Sequence, residues 1–218
     1  MPTQASQAAL NGLWDLTTIR WYVIPLLAIV IYIYVTEMKK ARETGNWDAI
    51  FAGLTVFGMD FFNETWNGWV FHFTNHSALW TTPGETALRT LIGWNIEIMF
   101  MFAISGIIYY HTLAKNKEER ILGVPNRWFW AVGYSIFCVF VECLLNIGGH
   151  LVWEYPFWNL SLGGIWLIFL IGYFHFYVAV IIVIGMKTNL RKILAIGLIY
   201  SVPILMNIIG KGIFHWAY

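Results

Sequence analysis

Residues 49–73 read AIFAGLTVFGMDFFNETWNGWVFHF, and this run decides the fold. It is long enough to cross a hydrocarbon core, which takes about 20 residues of helix. Inside it stand Asp60, Asn63, Glu64 and Asn67. At about 100° per residue these four share one narrow stripe, while the other faces carry Phe, Val and Trp. A charged side chain at the bilayer centre costs about 2.5–3.5 kcal/mol on insertion scales, so each one needs a partner or a purpose. One reading is a polar seam in which Asn and Glu join neighbouring helices by hydrogen bonds. The other is a functional cavity, and the cost of burial favours it.

Working outward, the periodicity and apolar runs predict six spanning helices at 20–38, 49–73, 88–113, 127–152, 160–186 and 191–215. The composition agrees: 59% of the 218 residues are hydrophobic and 11% charged, with a mean hydropathy of +0.62. A soluble domain carries about 25% charged residues, so an ordinary cytosolic enzyme is excluded. A net charge of +1 does not suit a nucleic-acid binder. An aromatic content of 18% is foreign to disordered chains. Cys138 and Cys143, five apart in one helical run, point to different sides, so no disulfide is expected.

No linker is long enough to divide the chain. Residues 1–218 form a single transmembrane domain: an all-α, polytopic integral membrane helix bundle of about six helices. Lys39, Lys40 and Arg42, then Lys115, Lys117, Arg120 and Arg127, then Lys187, Arg191 and Lys192 fall in alternate connections. The opposite ends carry only Arg20, Arg89 and Lys211. Cytoplasmic loops retain Lys and Arg, so both termini are expected on the outer side. Residues 1–19 hold no basic residue before the first apolar stretch, so a cleaved signal peptide is not expected. The expected setting is the plasma (inner) membrane or the endoplasmic reticulum. The expected partners are the lipid bilayer and a hydrophobic small-molecule substrate, with no nucleic acid; a homo-oligomer is compatible.

The polar pattern recurs on other helices. The fourth carries Glu142, Asn146 and His150 at four-residue steps, followed by Glu154, with Gly148 and Gly149 beside them. The third carries Asn95 and Glu97, two apart and so on different faces; Asn95 is expected to join a neighbouring helix. His175 stands alone among aromatics on the fifth, where a hydrogen-bonded core role is the ordinary reading. The sixth carries Pro203, Asn207 and Lys211, the last placed to snorkel. A rise of 1.5 Å per residue puts Asp60 roughly 16 Å and Glu64 roughly 22 Å from the inner edge. These groups gather in the outer half, which predicts a pocket open toward the outer leaflet, with no continuous polar channel.

Carboxylic acids in apolar surroundings stay protonated near neutral pH and can protonate an alkene or epoxide, while a second carboxylate later removes a proton. Tryptophans flanking the stripes (Trp66, Trp69, Trp94 and Trp153) can hold a carbocation by cation–π attraction, although an interfacial aromatic belt explains some of them. The Asn63-Glu64-Thr65-Trp66 run resembles the acid-bearing second helix of the integral-membrane terpene cyclases, where an Asn and a Trp accompany the Glu. One acid on each of three successive helices (Glu64, Glu97 and Glu142) is similar to the layout of the emopamil-binding sterol isomerases. Both likenesses cover about residues 50–150, and the expected helix count departs from both families. They imply cyclisation or isomerisation of an isoprenoid or lipid-like substrate.

Glu64 and Glu142 are the favoured acid–base pair, with Asp60 and Glu97 as further catalytic candidates. Asn63, Asn67, Trp66, Trp69, Trp94, Asn146, Trp153, His175 and Asn207 are the candidates for substrate binding. No cofactor is expected on this reading. An alternative is a zinc, copper or iron centre near the outer surface from His72, His76, His150 and Glu154, which stand in two four-residue pairs. Another is proton-coupled transport or ligand sensing along Asp60, Glu64, Glu142, His175 and Lys211. Internal repeats of the kind transporters carry are not visible.

Overall fold

The computed structural model describes residues 1–116 and 118–218, so Lys117, counted above among the loop cations, lies outside the described residues. Each helix starts and stops on local chemistry. A short first helix that periodicity did not predict, α1 (Gln4–Asn11), begins where the Thr3 hydroxyl accepts from the Ser6 N–H. α2 (Val23–Thr44) ends at Gly45 with φ 72°, and α3 (Asp48–Thr74) ends at Asn75 with φ 48°; both residue types tolerate the left-handed stop. α4 (Ile96–Thr112) is capped by its own Asn95, whose side chain accepts from the Ile98 N–H. That corrects the expectation that Asn95 reaches a neighbouring helix.

α5 (Asn126–Ile147) starts directly after Pro125 and stops at Gly148 and Gly149, the latter at φ 73°. The expected helices at 88–113 and 127–152 are therefore shorter. Residues 89–95 form instead a small antiparallel hairpin, β1 (Arg89–Leu91) with β2 (Trp94–Asn95), and the diglycine unwinds the chain before residue 152. A second hairpin, β3 (Arg120–Ile121) with β4 (Val124–Pro125), turns α4 into α5 through Leu122 and Gly123, both at positive φ. α6 (Leu162–Gly185) and α7 (Asn189–Ile213) are capped by the Ser161 and Thr188 hydroxyls. Each contains one wider, π-type stretch, at Ile168–Phe174 and Ile208–Ile213.

Among the described residues α5, α6 and α7 are long and apolar enough to cross a membrane, and α4 is a shorter apolar helix. α3 is the axle of the bundle and packs against α2, α4, α6 and α7. Its approach to α4 is very close, since a Cβ on Gly106 would lie 2.2 Å from the Ala52 carbonyl oxygen. The stripe-bearing helix is thus the most enclosed one. Asp60, Asn63, Glu64 and Asn67 are all buried.

The two ends of the bundle differ. At one end α1, the 75–95 loop, the 148–161 loop and the C-terminal residues interlock into a cap. Thr3 N donates to His76 O, Trp14 N to Arg89 O, and Thr81 pairs with Val152 through both backbone bonds. His72 Nε2 donates to Ala217 O, and the ring of Tyr218 covers Gly68. Both termini therefore lie at this end. The opposite end carries the tight turns and most of the described basic residues, tied by Lys192 to Asp48, His111 to Glu37 and Asn46 to Tyr110.

Candidate functional site: an apolar cavity with three carboxyls

Beneath the cap, α3, α4, α5 and α6 enclose a cavity of about 370 Å³. Asp60, Glu64 and Glu142 line it and Glu97 stands at its edge, within walls that are otherwise almost wholly apolar, including Met101, Phe102, Phe137, Tyr173 and Phe176. Pockets of roughly 300–1,000 Å³ suit a drug-sized molecule.

The three acids are held alike. Trp94 Nε1 donates to Asp60 Oδ2 at 2.7 Å, Trp80 Nε1 to Glu64 Oε1 at 2.9 Å, and Trp153 Nε1 to Glu142 Oε1 at 2.9 Å. An indole N–H serves a neutral or an ionised carboxyl, so one donor fixes orientation without demanding charge. The indoles are locked in turn. Trp94 stacks on Phe61 (centroids 5.5 Å apart), and Trp80 on Trp158 (5.7 Å). A Cβ on Gly93 would lie 2.6 Å from Trp80, so the hairpin can sit against that ring only with a glycine there. The second oxygen of Glu64, Oε2, is buried and has no hydrogen-bond partner, and the same holds for the indole N–H of Trp158, another lining residue.

The other stripe residues hold the walls. Asn63 Nδ2 donates to Ile171 O and Gly172 O at 3.1 Å each. These carbonyls lie in the π-type stretch of α6, where the i→i+5 pattern leaves carbonyls available to outside donors. His175 follows that stretch, and its single N–H when neutral serves either Leu170 O (3.3 Å) or Asn63 Oδ1 (3.2 Å). Asn67 lies beyond the cavity and clamps the cap loop. It accepts from the Leu79 and Trp80 N–H groups and donates to Trp80 O.

Several candidates stand apart from the cavity. Trp66 is exposed on the bundle surface, and Trp69 packs against Trp216 and donates to Tyr218. Asn207 bridges Thr65, Pro203 and Tyr218 as a seam between α3 and α7. Asn146 donates to Leu151 O and secures the turn after α5. Glu97 edges the cavity, but Tyr22, Thr86 and the Ala87 N–H occupy its carboxylate. Lys211 lies 4.8 Å over the Tyr218 ring, away from the acids.

The metal alternative loses its geometry. His72 stacks on Trp216, His76 meets Tyr155 edge-on, and Glu154 is taken by the Thr3 and Ser77 hydroxyls. Among the described residues no group of three or more His, Cys, Asp or Glu side chains is placed to hold a metal ion. Helical spacing failed there because His76, His150 and Glu154 lie past the helix ends.

The cavity is closed toward the cap by Trp80, Leu151 and Trp158, all buried. It opens sideways instead. α4 and α5 touch at their basic ends, where Tyr109 donates to Arg127 O and packs on Tyr134. Above that contact Met101, Ile108 and Phe137 line the cavity and are also exposed on the outside of the bundle. Sequence reasoning missed Trp80 and Trp158 because both lie in connections read as loops. A lone tryptophan in a polar connection was the available signal.

Residues 3–212 match an uncharacterized membrane protein family, and the chain belongs to it. It is similar to an uncharacterized protein of Archaeoglobus fulgidus, 44% identical over 216 residues, covering 99% of this chain and all of that one. No solved structure matches. These findings establish an integral membrane protein and lend no support to a likeness with terpene cyclases or emopamil-binding isomerases.

Proposed function

We propose that the chain is a membrane enzyme that moves protons within a lipid-like substrate, with Glu64 as the acid. Six helices, α2 to α7, cross the bilayer in this reading, and the cap faces outward because most of the basic residues collect at the opposite end. The observation that carries the proposal is the convergence of Asp60, Glu64 and Glu142 on one apolar cavity, each oriented by an indole N–H. A seam that only joined helices would pair its polar groups with one another, whereas Glu64 Oε2 is left without a partner.

The chemistry follows from that arrangement. Burial away from counter-ions favours the proton-bearing form of a carboxyl. Glu64 then gives its proton to an alkene or epoxide, and the positive charge lies among the lining aromatics Phe102, Tyr173 and Phe176. Glu142, acting as the base in its proton-free form, takes a proton from a neighbouring carbon and later returns it to Glu64. The product is an isomer of the substrate, rearranged or cyclised, and no cofactor takes part.

Deuterium uptake tests this directly. Purified protein in lipid nanodiscs, supplied with neutral lipids of its host membrane in deuterium oxide, should yield isomers carrying deuterium at carbon by mass spectrometry. The Glu64→Gln variant should not. Equal deuterium in both would remove Glu64 from the reaction.

A further inference from the structure

Two unpartnered polar atoms on residues that line the cavity point to what it holds. Among the described residues six buried side-chain polar atoms lack a partner, and two belong to cavity-lining residues: Glu64 Oε2 and Trp158 Nε1. Both side chains are at least nine-tenths buried, at 4% and 2% exposure. Trp80 links them, because its N–H donates to Glu64 while its ring stacks on Trp158. One is an indole, which only donates; the other is a carboxyl oxygen, which donates when protonated and accepts when not. Leaving either unmet in an apolar interior is costly, and because both residues line the cavity, a bound oxygen function toward which they turn meets both. The rest of the lining admits hydrocarbon: along α4 it runs from Ile98 to Ile108, about 15 Å of helix.

Charge narrows the class further. Among the described residues the lining contains Asp60, Glu64, Glu97 and Glu142 and no Lys, Arg or His. A phosphate, diphosphate or carboxylate would meet only like charge and find no cation. We infer that the cavity takes a neutral, single-chain lipid bearing one hydroxyl, carbonyl or epoxide oxygen, gripped between the Trp158 N–H and the Glu64 carboxyl, with its hydrocarbon tail toward the α4–α5 opening. This rests on the proposed reading of the cavity as the substrate site and names the substrate class.

Photolabelling of the full chain in lipid nanodiscs tests it, with a diazirine analogue of farnesol as the probe. The probe should label peptides carrying Cys138 and Tyr173 saturably, and Cys138→Trp, which fills the cavity, should abolish that labelling. Unlabelled farnesol should compete at least tenfold better than the parent hydrocarbon farnesane or than farnesyl diphosphate. Trp158→Phe keeps the ring but removes the N–H, and should weaken competition by farnesol at least threefold while leaving that by farnesane unchanged. Equal competition by farnesane or by the diphosphate, or an unaltered Trp158→Phe, overturns the assignment of a neutral oxygenated ligand while the cavity remains a binding site. Absence of saturable labelling in protein with normal circular dichroism and thermal unfolding overturns both the inference and the functional reading beneath it.

Discussion

Glu97 and Glu154 at the cap, and Asp60, Glu64 and Glu142 beneath it, are carboxyls on the same helical scaffold held in opposite ways. Glu97 receives two hydroxyls and one backbone N–H, all within 2.8 Å. One oxygen of Glu154 receives the Thr3 and Ser77 hydroxyls at 2.6 Å each. Such sets of donors use a carboxylate's lone pairs as fasteners between loops. Each cavity acid takes an indole N–H and no backbone N–H instead, with the Tyr173 hydroxyl beside Glu142. Saturated carboxylates close structures; sparsely bonded ones keep lone pairs and protons available for a guest. Substitutions that separate activity from stability therefore either break this division or sharpen it.

The largest effect is expected at Glu64. Gln keeps an oxygen for the Trp80 N–H but has no transferable proton, so the fold should hold while deuterium transfer falls. General acid–base groups contribute roughly 10²–10⁴ in rate, and a loss of at least about 100-fold is expected. Thermal stability should hold or rise, since an ionisable group leaves an apolar interior. Full activity in a folded Glu64→Gln protein would reduce the cavity acids to the same fastening role as Glu97.

Asn67 comes next, and its effect belongs to stability. The side chain is fully buried and satisfies three backbone groups of the Leu79–Trp80 segment. Asn67→Ala orphans them, and each unmet buried group costs about 1–3 kcal/mol. Thermal or chemical unfolding should show a loss of about 3 kcal/mol or more, again on the scale of unmet buried groups. Activity should fall too, because the same loop carries Trp80 to Glu64. An unchanged melting curve would show that the cap loop is held by its other contacts.

A smaller effect is expected at Glu97. Glu97→Gln weakens the charge-assisted bonds from Tyr22 and Thr86 and should cost about 1–2 kcal/mol. Turnover should stay within about tenfold, or 1.4 kcal/mol of barrier. A catalytic loss as large as that of Glu64→Gln would erase the contrast between the two sets of acids.

The sequence disclosed the stripe on α3 and its burial because helical periodicity and the cost of membrane charge are both local. It disclosed Glu142 in the same way, and the alternation of basic residues placed both termini at one end. It did not disclose the donors. Trp80 lies 16 residues beyond Glu64 and returns to it because Asn67 and the Thr81–Val152 backbone pair hold the intervening loop. Hairpin 89–95 has the sequence pattern of a helix start because its Leu91, Ile92 and Trp94 are apolar, and apolarity alone does not separate a strand pair from a helical turn. Trp66 and Trp69 flank the stripe in sequence yet face away from the cavity, since neighbours one or two residues apart point to different sides of a helix.

The smallest effect is expected at His76, and it separates the acid–base reading from a metal centre. The imidazole makes an edge contact with Tyr155 at 5.9 Å and is otherwise exposed. The bond that fixes this part of the cap runs from Thr3 N to the His76 carbonyl, which alanine also supplies. His76→Ala should therefore shift stability by no more than about 0.5 kcal/mol, as surface changes do. It should leave turnover within about tenfold of the parent. A metal ligand would behave otherwise, since losing it removes the ion and nearly all turnover with it. Elemental analysis and the deuterium assay on the same preparation measure both. If His76→Ala and His72→Ala each abolish activity and release a stoichiometric metal, the cap is the reactive centre and the cavity acids serve it.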